Sequence, residues 1–315
     1  MKNSIAVFAA FLLLFLIVVV VDASYWSAFR ELNMTAILIS LVFASVIQNI
    51  SGIMYYYTRK QYGVSLRLTD IFLFPSVMGL WNLILPIHGS LIFSTIFFKI
   101  KYKMNVSQSL SINVYLYMLT IAFTGLVGLM LSISHHYLCS WLGIISLLLL
   151  CNPLLLPVVD KIFKYNTVVH NGLLFKTQQF VSSIFINTKS MWSNPVFVLK
   201  MTFLKTVHLL LSIIWFYYIA AILEFDLSFL EVALISLVAS ATLIIKITPG
   251  NLGTTQLLTG AFMGVVGYSP EQAIMITLFA SATVFILNLT VGLYGNYHYF
   301  RTFSLLGLKD DFYTQ

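Results

Sequence analysis

The chain predicts an all-α polytopic membrane protein, with about six full transmembrane helices and two broken, re-entrant helical hairpins in an inverted-topology repeat. Three observations carry that prediction. First, 60% of the 315 residues are hydrophobic and only 9% are charged, outside the range of ordinary soluble domains. Second, the apolar residues form runs long enough to cross a bilayer. Third, two of the runs are interrupted by Pro, Gly and polar residues at corresponding places. The net charge of +7 does not indicate nucleic acid, because the basic residues lie in short loops between apolar runs, where they act as topology signals.

Taken in order, Ile5 to Val21 is longer than a usual signal-peptide core and lacks a small-x-small cleavage site, so it reads as a first helix with its amino end inside. Met34 to Tyr57 returns to Arg59, Lys60 and Arg67, which the positive-inside rule places in the cytoplasm. Ile71 to Phe98 is flanked on both sides by basic clusters, the second being Lys99, Lys101 and Lys103. As one straight helix it would run roughly 42 Å against a hydrocarbon core of about 30 Å, so a pair of half-helices is expected. Leu110 to Ile133 then crosses outward and Leu138 to Val159 crosses back.

Residues 160 to about 197 form the long cytoplasmic loop. Lys161, Lys164, Lys176 and Lys189 are spaced among Val169, Leu173, Phe180 and Ile184, a pattern that fits an interfacial amphipathic helix and a solvated connector equally. A further span, Lys200 to Leu223, exits to Glu224 and Asp226. The last, Ala273 to Tyr297, ends inside before Tyr299, Arg301 and Lys309, so Phe229 to Gly267 must enter and leave on the outer side with its turn at Pro249 to Gly253. On this topology, of the 17 Lys and Arg all but Arg30 and Lys246 fall inside.

Residues 1–315 therefore form one transmembrane domain with repeat units of about 34–133 and 200–297. Pro86-x-x-Gly89 and Pro249-Gly250-x-x-Gly253 sit at matching depths in the two units, and paired interruptions of this kind mark the central site of many transporters. Lys246, Pro249, Gly250, Asn251, Gly253, Thr254, Thr255 and Gln256 form the candidate substrate-binding set at the second break. Lys246 reads either as a phosphate contact or as a snorkelling lysine. A half-helix starting near Thr254 would turn its positive end toward a phosphate, with the side chains of Asn251, Thr254, Thr255 and Gln256 as neutral donors. The alternative is a tight turn and nothing more.

At the first break the candidates are Asn82, Pro86, His88 and Gly89, and a functional His88 would titrate near neutral pH. His208 reads as a packing residue, Glu231 and Glu271 as boundary residues, and Tyr55-Tyr56-Tyr57 as an interfacial belt. Cys139 and Cys151, on one helix, stand about 18 Å apart, beyond disulfide reach. His135-His136 is a weak metal signal, and no metal, cofactor or catalytic constellation is expected.

The two interruptions, Asn82-Leu-Ile-Leu-Pro86-Ile-His88-Gly89 and Pro249-Gly250-Asn251-Leu252-Gly253, resemble the paired signatures of the lysylphosphatidylglycerol synthase transmembrane-domain family. The resemblance extends to Met104-Asn-Val-Ser107-Gln-Ser and Gly267-Tyr-Ser-Pro270-Glu-Gln-Ala273. It implies a flippase-like protein of the bacterial inner membrane, with both termini cytoplasmic and without the soluble aminoacyl-transferase domain of some members. Where the family commonly has Arg after the first proline and Arg-Glu after the second glycine, this chain has His88, Thr255 and Gln256.

The expected function is translocation of a phospholipid or polyprenyl-linked glycan intermediate. Its partners are membrane lipids with phosphate-containing headgroups and enzymes of glycan or lipid synthesis. The alternatives are a membrane-embedded lipid-phosphate transferase and a non-catalytic partner in an assembly complex. Without an ATP-binding motif, movement would be downhill or ion-coupled.

Overall fold

The computed structural model describes residue 26 and residues 33–85, 89–134, 173–242 and 248–305, and among these every regular element is helical. The helices are α1 (Met34–Lys60), α2 (Leu68–Ile84), α3 (Gly89–Tyr102), α4 (Val106–Ser134), α5 (Leu173–Trp192), α6 (Pro195–Ile222), α7 (Phe229–Thr242), α8 (Thr254–Val265) and α9 (Pro270–Leu305), with a 3-10 turn, Pro249–Asn251, before α8. Four of the described helices, α1, α4, α6 and α9, contain stretches long and apolar enough to cross a membrane. The expected spans Ile5 to Val21 and Leu138 to Val159 lie outside the described residues.

The helix boundaries follow from local chemistry. Asn33 Oδ1 accepts from Ala36 N at 2.8 Å and Asn194 Oδ1 from Phe197 N at 3.1 Å, capping α1 and α6. Pro195 at the first position of α6 has no N–H to leave unpaired. Ser228 and Glu231 form a capping box on α7, with Ser228 N donating to Glu231 Oε2 at 2.7 Å and Glu231 N to Ser228 Oγ at 3.3 Å. Ser269 caps α9 and holds Glu271 at 3.0 Å. Both glutamates thus stand at helix starts, Glu231 in a capping box and Glu271 on the Ser269 hydroxyl. Between α8 and α9, Gly267 at φ 86° lets Tyr268 N reach Met263 O at 2.9 Å and its own N reach Gly264 O at 3.2 Å, a Schellman closure.

The order long, short, short, long occurs twice, as α1 to α4 and as α6 to α9. Over the described residues the short members have 17, 14, 14 and 12 residues, and α2, capped at both ends, spans only about 26 Å, less than the hydrocarbon core. The long helices expose apolar stripes, such as Met34, Leu38, Val42 and Val46 on α1 and Val196, Leu199, Phe203, Leu210 and Ile214 on α6. These i, i+4-type stripes match surfaces that only lipid covers at low cost.

The chain divides into two compact units. Unit 1 takes in residues 1–53, 66–93 and 207–315. In it, α9 packs along α2 and α8, and α8 packs on α7. The α2–α9 contact is a close backbone approach. A Cβ on Gly292 would stand 2.7 Å from the Ser76 carbonyl, and one on Gly79 would collide with the Asn288 side chain. Polar groups lace the same contact: Gln48 Nε2 donates to Asn288 Oδ1 at 2.8 Å, Ser76 Oγ to Gln48 Oε1 at 2.8 Å, and Trp81 Nε1 to Asn296 Oδ1 at 3.2 Å. Small residues with interhelical hydrogen bonds are how helices associate where lipid is as apolar as leucine. Pro75 does not break α2; the Ile71 carbonyl that it deprives of a helical donor lies where Gly52 of α1 leaves room.

Unit 2 comprises residues 54–65 and 94–206. Here α5 packs on α4 through Ser111 Oγ donating to Ile184 O at 3.1 Å and Thr188 Oγ1 to Ser111 O at 3.4 Å. The pattern at Leu173 and Ile184 that left a helix and a connector open thus forms a helix, with Thr188 and Met191 buried and Ile186 exposed. Arg59, fully buried, lies against the ring of Phe98 and directs Nη1 toward Met104 Sδ at 3.5 Å. Tyr55 donates to Asn113 Oδ1 at 3.1 Å. In the loop after α1, burial pushes the Tyr62 hydroxyl up to about 12, so it stays protonated and donates to Asn187 O at 3.4 Å.

Replacing Gly292 by valine is expected to destabilise unit 1 by about 1–3 kcal/mol, because the Ser76 backbone cannot move aside. Leu293→Ala, at the next and half-exposed position, should change stability by no more than about 0.5 kcal/mol. Melting temperatures of the detergent-solubilised variants check this, and equal values for both would contradict the close approach.

Candidate functional site

The first interruption begins at Leu85, which caps α2 in an extended conformation (φ −108°, ψ 120°) with its N–H on Trp81 O at 2.9 Å. Leu85 precedes a proline, and the residue before proline is driven out of the α region. Beyond the break the first residues of α3, up to Phe93, turn back onto α2. Phe93 stacks on Trp81 with ring centroids 5.5 Å apart and touches Phe74 at 6.0 Å. One continuous helix would hold Phe74 and Phe93 about 28 Å apart.

Two residues permit the fold-back. Gly89 starts α3 where a Cβ would collide with the Trp81 carbonyl, and Asn82 Oδ1 accepts from Ser90 N at 2.8 Å, capping α3 from the far side of the break. Asn82 therefore holds the broken hairpin together. Pro86 and His88 lie outside the described residues.

At the second interruption, Gly250 (φ 62°), Asn251 (φ 60°) and Gly253 (φ 82°) all adopt left-handed backbone conformations. Glycine does so freely and asparagine at small cost. The turn is closed by its own side chains. Asn251 Nδ2 donates to Thr242 O at 3.0 Å and to Thr255 Oγ1 at 2.8 Å, tying the turn to Thr242 of α7. Thr242 Oγ1 bridges to Thr255 Oγ1 at 2.9 Å. Thr248 Oγ1 donates to Leu252 O at 2.7 Å and pairs with Thr254 Oγ1 at 3.1 Å.

Gln256, fully buried, reaches back with Oε1 to accept from Gly253 N at 2.7 Å, and its Nε2 donates to Thr277 O at 3.2 Å and Ser281 Oγ at 2.8 Å. The amide donors expected to meet a phosphate are thus engaged within the protein. Lys246, the proposed phosphate contact, lies outside the described residues.

Within unit 1 the two interruptions meet. The last turn of α2 packs on the 3-10 turn, and a Cβ on Gly250 would collide with Leu83. Asn82, Gly89, Pro249, Gly250, Asn251, Gly253, Thr254, Thr255 and Gln256 therefore belong to one region of the unit, although more than 150 residues of chain separate the breaks. Its described polar groups are neutral, and among the described residues no cluster of three His, Cys, Asp or Glu side chains is arranged to hold a metal.

The sequence reading missed Gln48, Asn288 and Asn296, whose signal was a polar amide inside a long apolar run. In unit 2 it also missed Lys205, buried on the same face of α6 as Phe197 and Met201. The i, i+4, i+8 spacing of those three residues was the available sign.

A family model described as the lysylphosphatidylglycerol synthase TM region matches residues 4–292. The chain belongs to this family. The matched span of the lysylphosphatidylglycerol synthase TM region includes both breaks and most of α9. No curated protein and no solved structure matches the chain. Family membership and the four apolar spans make it a membrane protein of a lipid-related family.

Two substitutions test how the breaks are built. Gly250→Ala combines left-handed strain with the Leu83 clash and is expected to cost about 2–3 kcal/mol. Adding Leu83→Ala should recover the steric part and leave the backbone part, so a purely additive double mutant would sink the proposed contact. Asn82→Ala removes the cap on α3 and should cost about 1 kcal/mol in thermal melting, whereas unchanged melting would show the cap to be idle.

Proposed function

We propose that this protein translocates a phosphate-bearing lipid, a phospholipid or a polyprenyl-linked glycan intermediate, across the bacterial inner membrane. The observation that carries the reading is the meeting of two helix breaks from distant parts of the chain. In lipid, irregular backbone is tolerated only where protein covers it or where it lines a wet cavity. In a chain of a lipid-related family, such a cavity is where a polar headgroup crosses while the acyl chains stay in the bilayer.

The repeated long–short–short–long order supports an inverted repeat, with α2–α3 entering from the cytoplasmic side and α7–α8 from the outer side. Both termini are then cytoplasmic. Engagement of the amide donors of Asn251 and Gln256 gives the charge-bearing role at the second break to Lys246, and His88 serves the opposite side.

Liposomes containing the purified protein and fluorescent phospholipids, assayed by loss of signal to a membrane-impermeant quencher, test the reading. The expected result is faster leaflet exchange than in protein-free liposomes, reduced about tenfold or more by Lys246→Ala. Covalent conversion of the lipid without leaflet exchange would overturn it in favour of a lipid-phosphate transferase. An inert protein that co-purifies with glycan- or lipid-synthesis enzymes would favour the assembly-partner alternative.

A further inference from the structure

Charge is shared unevenly between the two units. Unit 2 holds 11 of the 17 Lys and Arg, but of the 10 acidic residues only Asp160. Basic residues that merely set topology have to lie on one side of the membrane and need not stand together. In unit 2 a set of contacts brings five exposed lysines to one end.

Arg59, at the end of α1, lies on the Phe98 ring of α3 and points Nη1 at Met104 Sδ, just before α4 begins. The Lys200 ammonium, in the second turn of α6, lies 3.5 Å from the centre of the Tyr57 ring of α1. Tyr62, in the loop after α1, donates to Asn187 O of α5 at 3.4 Å. Lys60, Lys99, Lys103, Lys189 and Lys200 are all exposed, and each stands within two residues of one of these contacts. Among the described residues of unit 2 no Asp or Glu interrupts them.

Apolar exposure borders the same lysines. On α5, Thr188 and Met191 are buried, whereas Phe180 and Ile186 are exposed along with Lys189. On α6, Val196 and Leu199 are 76% and 72% exposed and begin the apolar stripe that runs on to Ile214, with Lys200 next to Leu199. Cations placed where a lipid-facing stripe begins stand at the level of headgroup phosphates. An acidic protein or a nucleic acid would pair with the lysines but leave the apolar border uncovered.

We propose that this end of unit 2 is a docking surface for anionic phospholipid headgroups of one leaflet, with α5 lying in the membrane interface. The surface rests on the membrane character of the chain and not on the translocation reading, so either fails without the other. A lysine near the membrane surface strengthens attachment to anionic lipid roughly fivefold, so three of them account for about 100-fold.

The experiment titrates dansyl-labelled phosphatidylserine or phosphatidylcholine into the detergent-purified full chain and reads energy transfer from tryptophan; Trp192 lies three residues from Lys189. Phosphatidylserine is expected to bind about 100-fold more tightly at low salt, and the preference should shrink as salt screens the charges. The triple variant Lys60→Gln, Lys99→Gln, Lys189→Gln should lose most of that preference at an unchanged melting temperature, while the matching arginine triple should bind like the original chain. Equal binding of the two lipids, or a glutamine triple that keeps the full preference, would overturn the surface. Displacement of the lipid by an equimolar short DNA duplex or polyglutamate would also overturn it and assign the lysines to a soluble acidic partner. If the glutamine triple does not fold, the salt series decides alone: a preference unchanged between about 0.05 M and about 0.5 M would overturn the surface.

Discussion

A helix that stops inside packed protein leaves backbone N–H and C=O groups that must find partners within the fold, and this constraint orders the rest of the structure. The chain meets it differently at its two breaks. At the first, Leu85 N closes on Trp81 O and a side chain from before the gap, Asn82, serves the amino end of α3. At the second, the protein folds a polar turn on itself, with Thr248 donating to Leu252 O, Gln256 accepting from Gly253 N and Asn251 donating to Thr242 O. Each solution requires close approach, and glycines stand where it occurs. Gly89 faces the Trp81 carbonyl and Gly250 faces Leu83.

The same constraint explains why the supporting helices are joined as they are. Burying apolar side chains between helices gains little over leaving them in lipid, so adhesion must come from tight packing and interhelical hydrogen bonds. Gly79 opposite Asn288 and Gly292 opposite Ser76 bring α2 and α9 together. Gln48 then links α1 to both, accepting from Ser76 and donating to Asn288. Each such bond is worth only about 0.6 kcal/mol, yet a set of them fixes rotation and register, which the last turn of α2 needs to seat on Gly250.

Much of this was legible in the sequence because membrane solvation writes strong patterns. Run length located α1, α4, α6 and α9, and basic flanks with an over-long run exposed the α2–α3 break at Pro86 to Gly89. Side-chain pairing was not legible. Nothing local in the sequence tells that Gln256 reaches Thr277 and Ser281, or that Asn82 caps α3. Those depend on which helices meet, a long-range outcome that composition and periodicity do not encode.

Counting donors and acceptors changes the sign of the second break. Read as a string of side chains, Asn251 to Gln256 offers donors to an anion. Folded, the amide donors face acceptors within the protein, and capturing a phosphate with them would break several bonds at about 1 kcal/mol net each. The unpaired atom is instead an acceptor, Asn251 Oδ1, on a residue whose neighbour Gly250 seats Leu83 of α2.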